Sequence, residues 1–393
     1  MTVTAVSSRR LLQDRRDRER IGEYRASGGY EIPRVAAADL MDEIAAAGVR
    51  GRGGAAFSTA VKWRSVATAA APRHVVVLEG ALLTAAAVAA GHVWIYVSDA
   101  GAARAMRTAI GGPALPTTKP PRPFEAGVRG QPTLVQNAET LAHVTLIARR
   151  GATWFRSVGT AMSPGTFLLT MAGDCAAPGL FEVELGTPLR TALAWGGGTR
   201  RGLEPGGFLF GGYFGGIIAP RAADLPLEYD VLRGEGVGLG CGAITVIGSD
   251  RCIVGVATAV LGFYARQSSA QCGVCVRGTQ ALHDTARQLH AGSPRGGEAQ
   301  TLARHANSIR GRGACALPDG AANIVTSLLR EFPAAVEAHL AHGSCNDACP
   351  SVFAVDEWGY AYTTDPQGNV AAADEPAARE AIAGCPEHAI TET

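Results

Sequence analysis

The sequence predicts a multidomain α/β protein, because three regions differ in their hydrophobic pattern. Residues 74–98 predict a strand (HVVVL), an alanine-rich helix and a second strand (HVWIYVS), which is a minimal parallel βαβ unit. Residues 165–247 contain short alternating strands between glycine turns, typical of a small β-rich domain with one helix. Residues 251–332 show helical spacing in four stretches. A chain of 393 residues has room for two to four domains.

Composition excludes several classes of protein. With 47% hydrophobic and 18% charged residues, the chain is expected to be globular and not disordered. The net charge of +1 gives no reason to expect nucleic acid or an anionic membrane as partner. No segment approaches the roughly 18–20 apolar residues of a membrane span, and no apolar stretch follows the arginine-rich start, as it would in a signal peptide. We expect no membrane insertion and a cytoplasmic location, where nine cysteines favour metal binding over disulfides.

The segment SSAQCGVCVRGT (268–279) carries Cys272 and Cys275 at the start of a predicted helix. A third cysteine, Cys315, precedes another helix, so two helices of a bundle can bring three sulfurs together. Iron–sulfur clusters use four thiolates, commonly three close in sequence and one remote, and Ser269 occupies the position where a further ligand is expected. The residues alone are compatible with three arrangements: an iron–sulfur cluster, a structural zinc held with a histidine, or cysteines packed in the core.

Five motifs, in order through most of the chain, resemble those of one family. GRGGAAFSTAVKW (51–63) resembles GRGGAGFPTGLKW, and GQPTLVQNAETLAHV (130–144) resembles GKPT-x-V-x-N-x-ET-L-x-x-V. The segment with GDCAAPGLFEVELGTPL and GGYFGG resembles a β-grasp (SLBB) domain. QSSAQCGVCVRGT resembles ESCGxCxPCxxGT, which binds a four-iron cluster, and Cys315 precedes Ala-Leu as the fourth family cysteine does. The chain thus resembles the NADH-binding, flavin-carrying subunit of bacterial respiratory complex I and related diaphorase subunits of hydrogenases and formate dehydrogenases.

The resemblance implies a Rossmann-like flavin domain, a β-grasp domain, a helical-bundle iron–sulfur domain and a C-terminal α+β ferredoxin-like domain. The expected boundaries are 1–47 for an N-terminal helical segment, 48–160 for a shortened FMN/NADH-binding domain, 161–248 for the β-grasp domain, 249–333 for the iron–sulfur domain and 334–393 for the ferredoxin-like domain. Ser269 stands at the first cluster cysteine and Gln267 at the glutamate before it, so the resemblance implies a three-iron cluster or a labile four-iron cluster.

The flavin site is expected at the glycine-rich loop, where glycines permit close backbone approach and helix N–H groups with a lysine suit a phosphate. By resemblance, the residues around FMN and NADH are Gly51, Arg52, Gly53, Gly54, Phe57, Lys62, Asn137 and Thr140, with Phe57 stacking on the adenine. The family's acidic loop, Asn-x-x-Glu-x-Glu-Pro, has no counterpart after HVVVL, and its Gly-Glu-Glu segment is also absent. A scaffold that keeps the fold without the flavin is the alternative.

The tail segment HLAHGSCNDACP (339–350) has the spacing of the ferredoxin run C-x2-C-x2-C-x3-C-P, with histidine at the first two positions. It resembles small single-cluster ferredoxins, whose closing cysteine corresponds to Cys385 in GCPEH. Cys345 and Cys385 are the expected ligands, His339 and His342 are candidates, and Cys349 is an alternative ligand or a buried free thiol. For the two histidines the first alternative is an exposed helix end, and a zinc site is the second.

Together these features predict an iron–sulfur electron-transfer protein with 4Fe-4S or 3Fe-4S clusters. If FMN is bound, the chain is an NADH dehydrogenase (diaphorase)-type oxidoreductase that passes electrons to a redox partner such as a monooxygenase. Such chemistry needs no acid–base or nucleophilic residue. The alternatives are a flavin-less carrier or ferredoxin fed by a separate reductase, a zinc-stabilised binding protein without catalysis, and a remnant that has lost its chemistry.

Overall fold

The computed structural model describes residues 11, 26, 36–69, 74–76, 92–94, 131–268, 270, 272–291, 297–313, 315–340, 349–355, 361–365 and 367–383. The chain divides into two compact units. The first consists of Met1–Gly202, Phe210–Gly212 and Arg221–Val246, and the second of Leu203–Leu209, Tyr213–Pro220 and Ile247–Thr393. The helix expected between the two strands of the βαβ unit lies outside the described residues.

The helices and strands are numbered here in chain order. The helices are α1 (Ala37–Ala47), α2 (Thr59–Ala67), α3 (Ala138–Arg150), α4 (Ala152–Arg156), α5 (Leu189–Trp195), α6 (Tyr229–Gly234), α7 (Ile253–Arg266), α8 (Thr279–His290), α9 (Glu298–Ile309), α10 (Leu317–Glu331), α11 (Pro333–Leu340) and α12 (Glu375–Ala383). The strands are β1 (His74–Val76), β2 (His92–Trp94), β3 (Thr133–Val135), β4 (Thr166–Gly173), β5 (Gly179–Glu184), β6 (Pro205–Phe210), β7 (Gly216–Ile218), β8 (Ala243–Gly248), β9 (Phe353–Val355) and β10 (Ala361–Thr363). Short 3₁₀ helices occupy Arg200–Gly202 and Pro220–Asp224, and Val274–Gly278 form one π-helical turn.

In the first unit, β1 lies between β2 and β3 and pairs with both in parallel. Val75 is opposite Val93 on one side and Leu134 on the other. The parallel pairing of the two strands predicted in residues 74–98 is therefore confirmed. Parallel neighbours place the ends of β1 and β3 at the same sheet edge, where β3 leads into α3.

The helices of this unit follow their apolar periodicity. Leu40 and Ile44 of α1, at i and i+4, are fully buried, and α1 ends at Gly48, whose φ of 68° gives the left-handed cap typical of glycine. They belong to one core with Trp63 of α2, Ile147 of α3 and Phe155 of α4. This core fixes the helices that carry the candidate flavin residues.

The β-rich part of the first unit is a sheet of alternating burial. β4 pairs antiparallel with β5, from Thr166 opposite Glu184 onward, and parallel with residues 243–246 of β8. Its inward side chains, Phe167, Leu169, Met171, Phe181 and Val183, are all at most 2% exposed. The small β-rich region that the sequence predicts is thus present, with the helices α5 and α6.

The second unit is mainly helical, and its helices α7–α10 correspond to the four predicted helical stretches. One core joins them, with Leu261 of α7, Leu282 of α8, Leu302 of α9 and Leu328 of α10 at most 1% exposed. α10 begins with a proline in its first turn, where a missing N–H costs nothing. A bundle built this way holds the starts of α8 and α10, which follow the three predicted cluster cysteines.

The C-terminal part of the second unit contains an antiparallel pair, β9 with β10, followed by α12. Val352, Phe353, Ala378 and Ala381 form a small core there with Cys349. Across the described residues the fold is mixed α/β, and none of their helices combines the length and the apolar character that crossing a membrane requires.

Candidate functional site

The Cys272–Cys275 pair is folded into one tight turn before α8. The backbone N–H groups of Cys275 and Val276 both donate to the carbonyl of Cys272, at 3.0 and 3.1 Å. Thr279 then ties the turn to the helix, since its hydroxyl donates to the Cys275 carbonyl at 2.6 Å. The π-helical turn over Val274–Gly278 is a local departure from α-helical geometry, of a kind that is frequent at functional sites. The Cys-x-x-Cys segment is therefore a shaped loop at a helix start.

The Cys275 thiol has the other two predicted ligands as neighbours. Cys275 is 2% exposed, whereas Cys272 is partly exposed and Cys315, just before α10, is exposed. Burial raises the pKa of Cys275, a hydrogen bond from Ser268 lowers it, and the proximity of Cys272 and Cys315 raises it further. The thiols of Cys272 and Cys315 thus interact electrostatically with that of Cys275. Within the described ranges, no three His, Cys, Asp or Glu side chains form a ready-made site for a single ion.

A serine that the motif comparison did not select contacts this group. The Ser268 hydroxyl donates to the Cys275 sulfur at 2.9 Å, and its oxygen accepts from the Ala270 N–H at 3.1 Å. Ser269, in the expected position of the missing cysteine, lies outside the described residues. The signal for Ser268 was present in the sequence, because a hydroxyl directly before a cluster motif is a potential donor to thiolate.

Ala270 holds this loop in an unfavourable backbone conformation. Its φ is 54°, in the left-handed region, where the resembling motif ESCGxCxPCxxGT has glycine. Ala56 repeats the pattern: its φ is 50°, and GRGGAGFPTGLKW has glycine there. At both positions the chain keeps the family's backbone shape without the residue that adopts it most easily.

We therefore expect Ala270→Gly to raise the free energy of unfolding of the second unit by roughly 0.5–1 kcal/mol, because glycine removes the left-handed strain. Ala270 is exposed, so little packing is lost. Urea unfolding followed by circular dichroism measures the change. The control is Ala303→Gly inside α9, which should lower the same quantity by a similar amount. A destabilising Ala270→Gly would contradict the strain assignment.

The predicted flavin residues of the glycine-rich loop meet the start of α3. The Arg52 backbone N–H donates to Thr140 Oγ1 at 2.8 Å, and Asn137 caps α3 by accepting the Thr140 N–H at 3.2 Å. The Arg52 guanidinium is buried and donates to the Tyr229 hydroxyl at 3.0 Å and to the Thr166 carbonyl at 2.8 Å. Arg52, Asn137 and Thr140 thus lie together, and the described contacts of the guanidinium are to protein groups.

The other loop residues present a more open face. Phe57 is 55% exposed, and the Gly51 N–H closes the loop on the Phe57 carbonyl at 2.8 Å. Gly54 has φ 113°, a conformation that favours glycine, while a Cβ on Gly53 would lie 3.5 Å from Asn137 Cβ. Lys62 donates from Nζ to the Val135 carbonyl, and burial lowers its pKa. The loop therefore exposes the aromatic ring but holds the lysine against β3.

Glu139, which the sequence comparison did not select, is the most perturbed acid here. Burial raises its pKa to about 7, while Arg52 and the Leu168 N–H lower it and Glu182 raises it slightly. Its Oε1 accepts the Leu168 N–H at 2.8 Å and lies 3.9 Å from Arg52 Nε. A glutamate between the two selected residues Asn137 and Thr140 could have been found from its place in the motif. Perturbed acids of this kind are frequent at functional sites.

Two of the predicted tail ligands, His339 and Cys349, lie in the described residues. His339 lies in α11, with Nε2 3.1 Å from the Cys252 sulfur and its ring 5.6 Å from the His290 ring. Cys349 is 2% exposed, and its sulfur lies 3.5 Å from Ser351 Oγ. His342, Cys345 and Cys385 lie outside the described residues, so the structure does not test whether the tail ligands converge.

Comparison with known proteins confirms the family resemblance. Residues 255–339 match the family described as NADH-ubiquinone oxidoreductase-F iron–sulfur binding region, and this match contains Cys272, Cys275 and Cys315. Residues 340–391 match the family described as 4Fe-4S single cluster domain, and this match contains Cys345 and Cys385 but begins after His339.

Relatives that match over most of this chain support the same family resemblance. The F subunit of NADH-quinone oxidoreductase from Streptomyces coelicolor is 29% identical, over 82% of this chain and 88% of the relative. The HndC subunit of the NADP-reducing hydrogenase from Solidesulfovibrio fructosivorans is 27% identical, over 84% and 82%. A solved NAD⁺-reducing [NiFe]-hydrogenase chain is 26% identical, with a TM-score of 0.67 over 79% of this chain. The present chain spans 64% of the length of that hydrogenase chain.

Proposed function

We propose that this chain, which carries the F-type iron–sulfur region and a single-cluster domain, transfers electrons from NADH through iron–sulfur clusters to a redox partner protein. The observation that carries the proposal is that the matched region contains Cys272, Cys275 and Cys315, and that the Cys275 thiol interacts electrostatically with the other two. Soft thiolates from two helix starts are the donors that iron–sulfur clusters use. The five domains and their boundaries, as expected above, belong to this proposal, as does a cytoplasmic location, which the use of cysteine supports.

The residues fit a cluster of three or four irons. The Ser268 hydroxyl lies 2.9 Å from the Cys275 sulfur, the thiols of Cys272 and Cys315 interact electrostatically with it, and Cys275 is 2% exposed. A bound cluster supplies one-electron chemistry, and the chain contributes the ligands, their spacing and a dry environment. Cys315 precedes α10 and Cys272 precedes α8, and one core packs these two helices together.

The residues also fit a flavin in part. Arg52, Asn137 and Thr140 meet beside the glycine-rich loop, and exposed Phe57 offers an aromatic face for an adenine. FMN, when bound, accepts a hydride from NADH and releases single electrons. In the proposed site Arg52 orients the loop, Glu139 is an acid poised near neutral pH, and Phe57 binds the nucleotide base.

A second candidate function is a flavin-less iron–sulfur carrier reduced by a separate reductase. Two observations favour it: the Arg52 guanidinium donates to Tyr229 and Thr166, and the family's acidic loop after HVVVL has no counterpart. In either case we expect a redox protein such as a monooxygenase as the acceptor, with the tail cluster as the exit.

The cluster is tested by anaerobic purification with counts of iron and acid-labile sulfide. The wild-type protein should contain two clusters per chain, and Cys275→Ala should lose the iron and sulfide of one of them. Cys241→Ala is the control, because Cys241 is an exposed cysteine outside the matched regions, and it should lose none. Iron-free wild-type protein, or equal loss in both variants, would reject the proposal.

The NADH step is tested separately, after reconstitution with FMN. A flavin absorption band and ferricyanide reduction by NADH support the diaphorase reaction. Clusters without bound flavin, together with reduction by an added ferredoxin reductase, would instead establish the flavin-less carrier.

A further inference from the structure

We propose that Ser268 sets the reduction potential of the cluster held by Cys272, Cys275 and Cys315, by donating a hydrogen bond to the Cys275 sulfur. The inference rests on the proposed function and adds to it a positioning residue outside the ligand set. Ser268 is one residue before the position where the family has a cysteine, so motif matching alone directs attention to its neighbour Ser269.

The hydrogen of the Ser268 hydroxyl is directed by two contacts. The oxygen accepts from the Ala270 N–H at 3.1 Å, which occupies a lone pair and leaves the single O–H to point elsewhere. The group at the donor side is the Cys275 sulfur, at 2.9 Å. The residue that donates to Ser268, Ala270, is also the one in the left-handed conformation.

The hydrogen bond lies in a partly buried environment, where its electrostatic effect on the sulfur is larger than it would be in water. Cys275 is 2% exposed and Ser268 is half-buried, so bulk water screens the contact only in part. Reduction of a cluster adds negative charge that is shared with its ligand sulfurs, and a donor to such a sulfur is stronger in the reduced state. Hydrogen bonds to cluster sulfurs are one of the features that set reduction potentials. Ser268 should therefore raise the potential.

The test compares Ser268→Ala, which removes the donor, with Ser268→Thr, which keeps a hydroxyl at the same position. Electron paramagnetic resonance during a redox titration follows each cluster of the full-length protein. In Ser268→Ala the ratio of reduced to oxidised cluster at a fixed potential should fall about tenfold, the effect of a hydrogen bond to a charged group. In Ser268→Thr the ratio should stay near the wild-type value. The tail cluster serves as an internal reference and should not change.

Iron and sulfide counts separate the outcomes. Unchanged counts with a negative shift in Ser268→Ala support the proposal. An unshifted potential in Ser268→Ala overturns it, and so does loss of iron, because that would make Ser268 a ligand. If Ser268→Ala fails to fold, the wild type compared with Ser268→Thr after exchange into deuterated water decides: both cluster signals must show a coupled exchangeable hydrogen, and its absence in the wild type overturns the proposal. Iron-free wild-type protein would instead be a failure of the proposed function.

Discussion

Replacing Arg52 with leucine will lower the free energy of unfolding of the first unit by about 3–5 kcal/mol, the cost of removing one partner of a buried charged network. Arg52 is 3% exposed, and its guanidinium satisfies the Thr166 carbonyl and the Tyr229 hydroxyl. Leucine leaves both without this donor and leaves the buried Glu139 without its nearby cation. Each lost partner of a buried polar group adds a desolvation cost.

The loss of stability in Arg52→Leu will grow as pH rises. The pKa of Glu139 is about 7 in the folded chain, above its ordinary value of 4.5. Between these two values the unfolded chain loses its proton first, so the contribution of Glu139 to stability falls with rising pH and is lowest above about 7. Arg52 lowers this pKa. Without Arg52 the folded pKa rises further, and stability continues to fall beyond neutral pH. The deficit of Arg52→Leu should be larger near pH 8.5 than near pH 6, roughly one unit or more to either side of the folded pKa.

Urea unfolding followed by tryptophan fluorescence measures this, because Trp63, Trp154 and Trp195 all belong to the first unit. Arg52→Lys keeps the charge beside Glu139 but not the two-armed donor, so it should be destabilised with little added pH dependence. The double variant Arg52→Leu, Glu139→Gln should lose the added pH dependence. A deficit below about 1 kcal/mol at every pH would show that the network contributes little to the fold.

Much of the fold could be predicted from local pattern. The four helical stretches of the second unit and the parallel strands of residues 74–98 depend on apolar spacing, which one face of packing enforces. In these cases a local signal and the tertiary contact agree. That Cys275 and Cys315 hold one cluster, because both precede helices of one bundle, stays a prediction.

The remaining features depend on contacts that no local pattern encodes. The Cys252–His339 contact joins residues 87 positions apart, and nothing in the spacing of the tail indicates it. The pKa of Glu139 is set by burial, which depends on how β4 covers α3 through the Leu168 N–H. The Ser268 hydroxyl accepts the N–H of a left-handed alanine, Ala270, a conformation that sequence patterns do not favour for that residue. The charged and polar details of the sites were therefore less predictable than the helices that carry them.

Replacing Ser269 with cysteine will convert the cluster of the second unit into a stable four-iron cluster. The motif ESCGxCxPCxxGT has cysteine at this position, and the wild-type chain offers three thiolates where such clusters use four. A fourth soft donor completes the ligand set, so that an iron which three cysteines hold weakly is retained. Ser268→Cys is the matched control, since it adds a thiol one residue away, where the structure places a donor to Cys275 and not an additional ligand.

Iron and sulfide counts, with electron paramagnetic resonance of the oxidised protein, measure the conversion. The Ser269→Cys protein should gain about one iron per chain, because the fourth thiolate fills the open ligand position. It should also lose the signal of an oxidised three-iron cluster and keep its iron longer in air. Ser268→Cys should show none of these gains. If Ser269→Cys gains no iron and remains as labile as the wild type, the fourth position does not lie at residue 269, and a group elsewhere in the chain already completes the cluster.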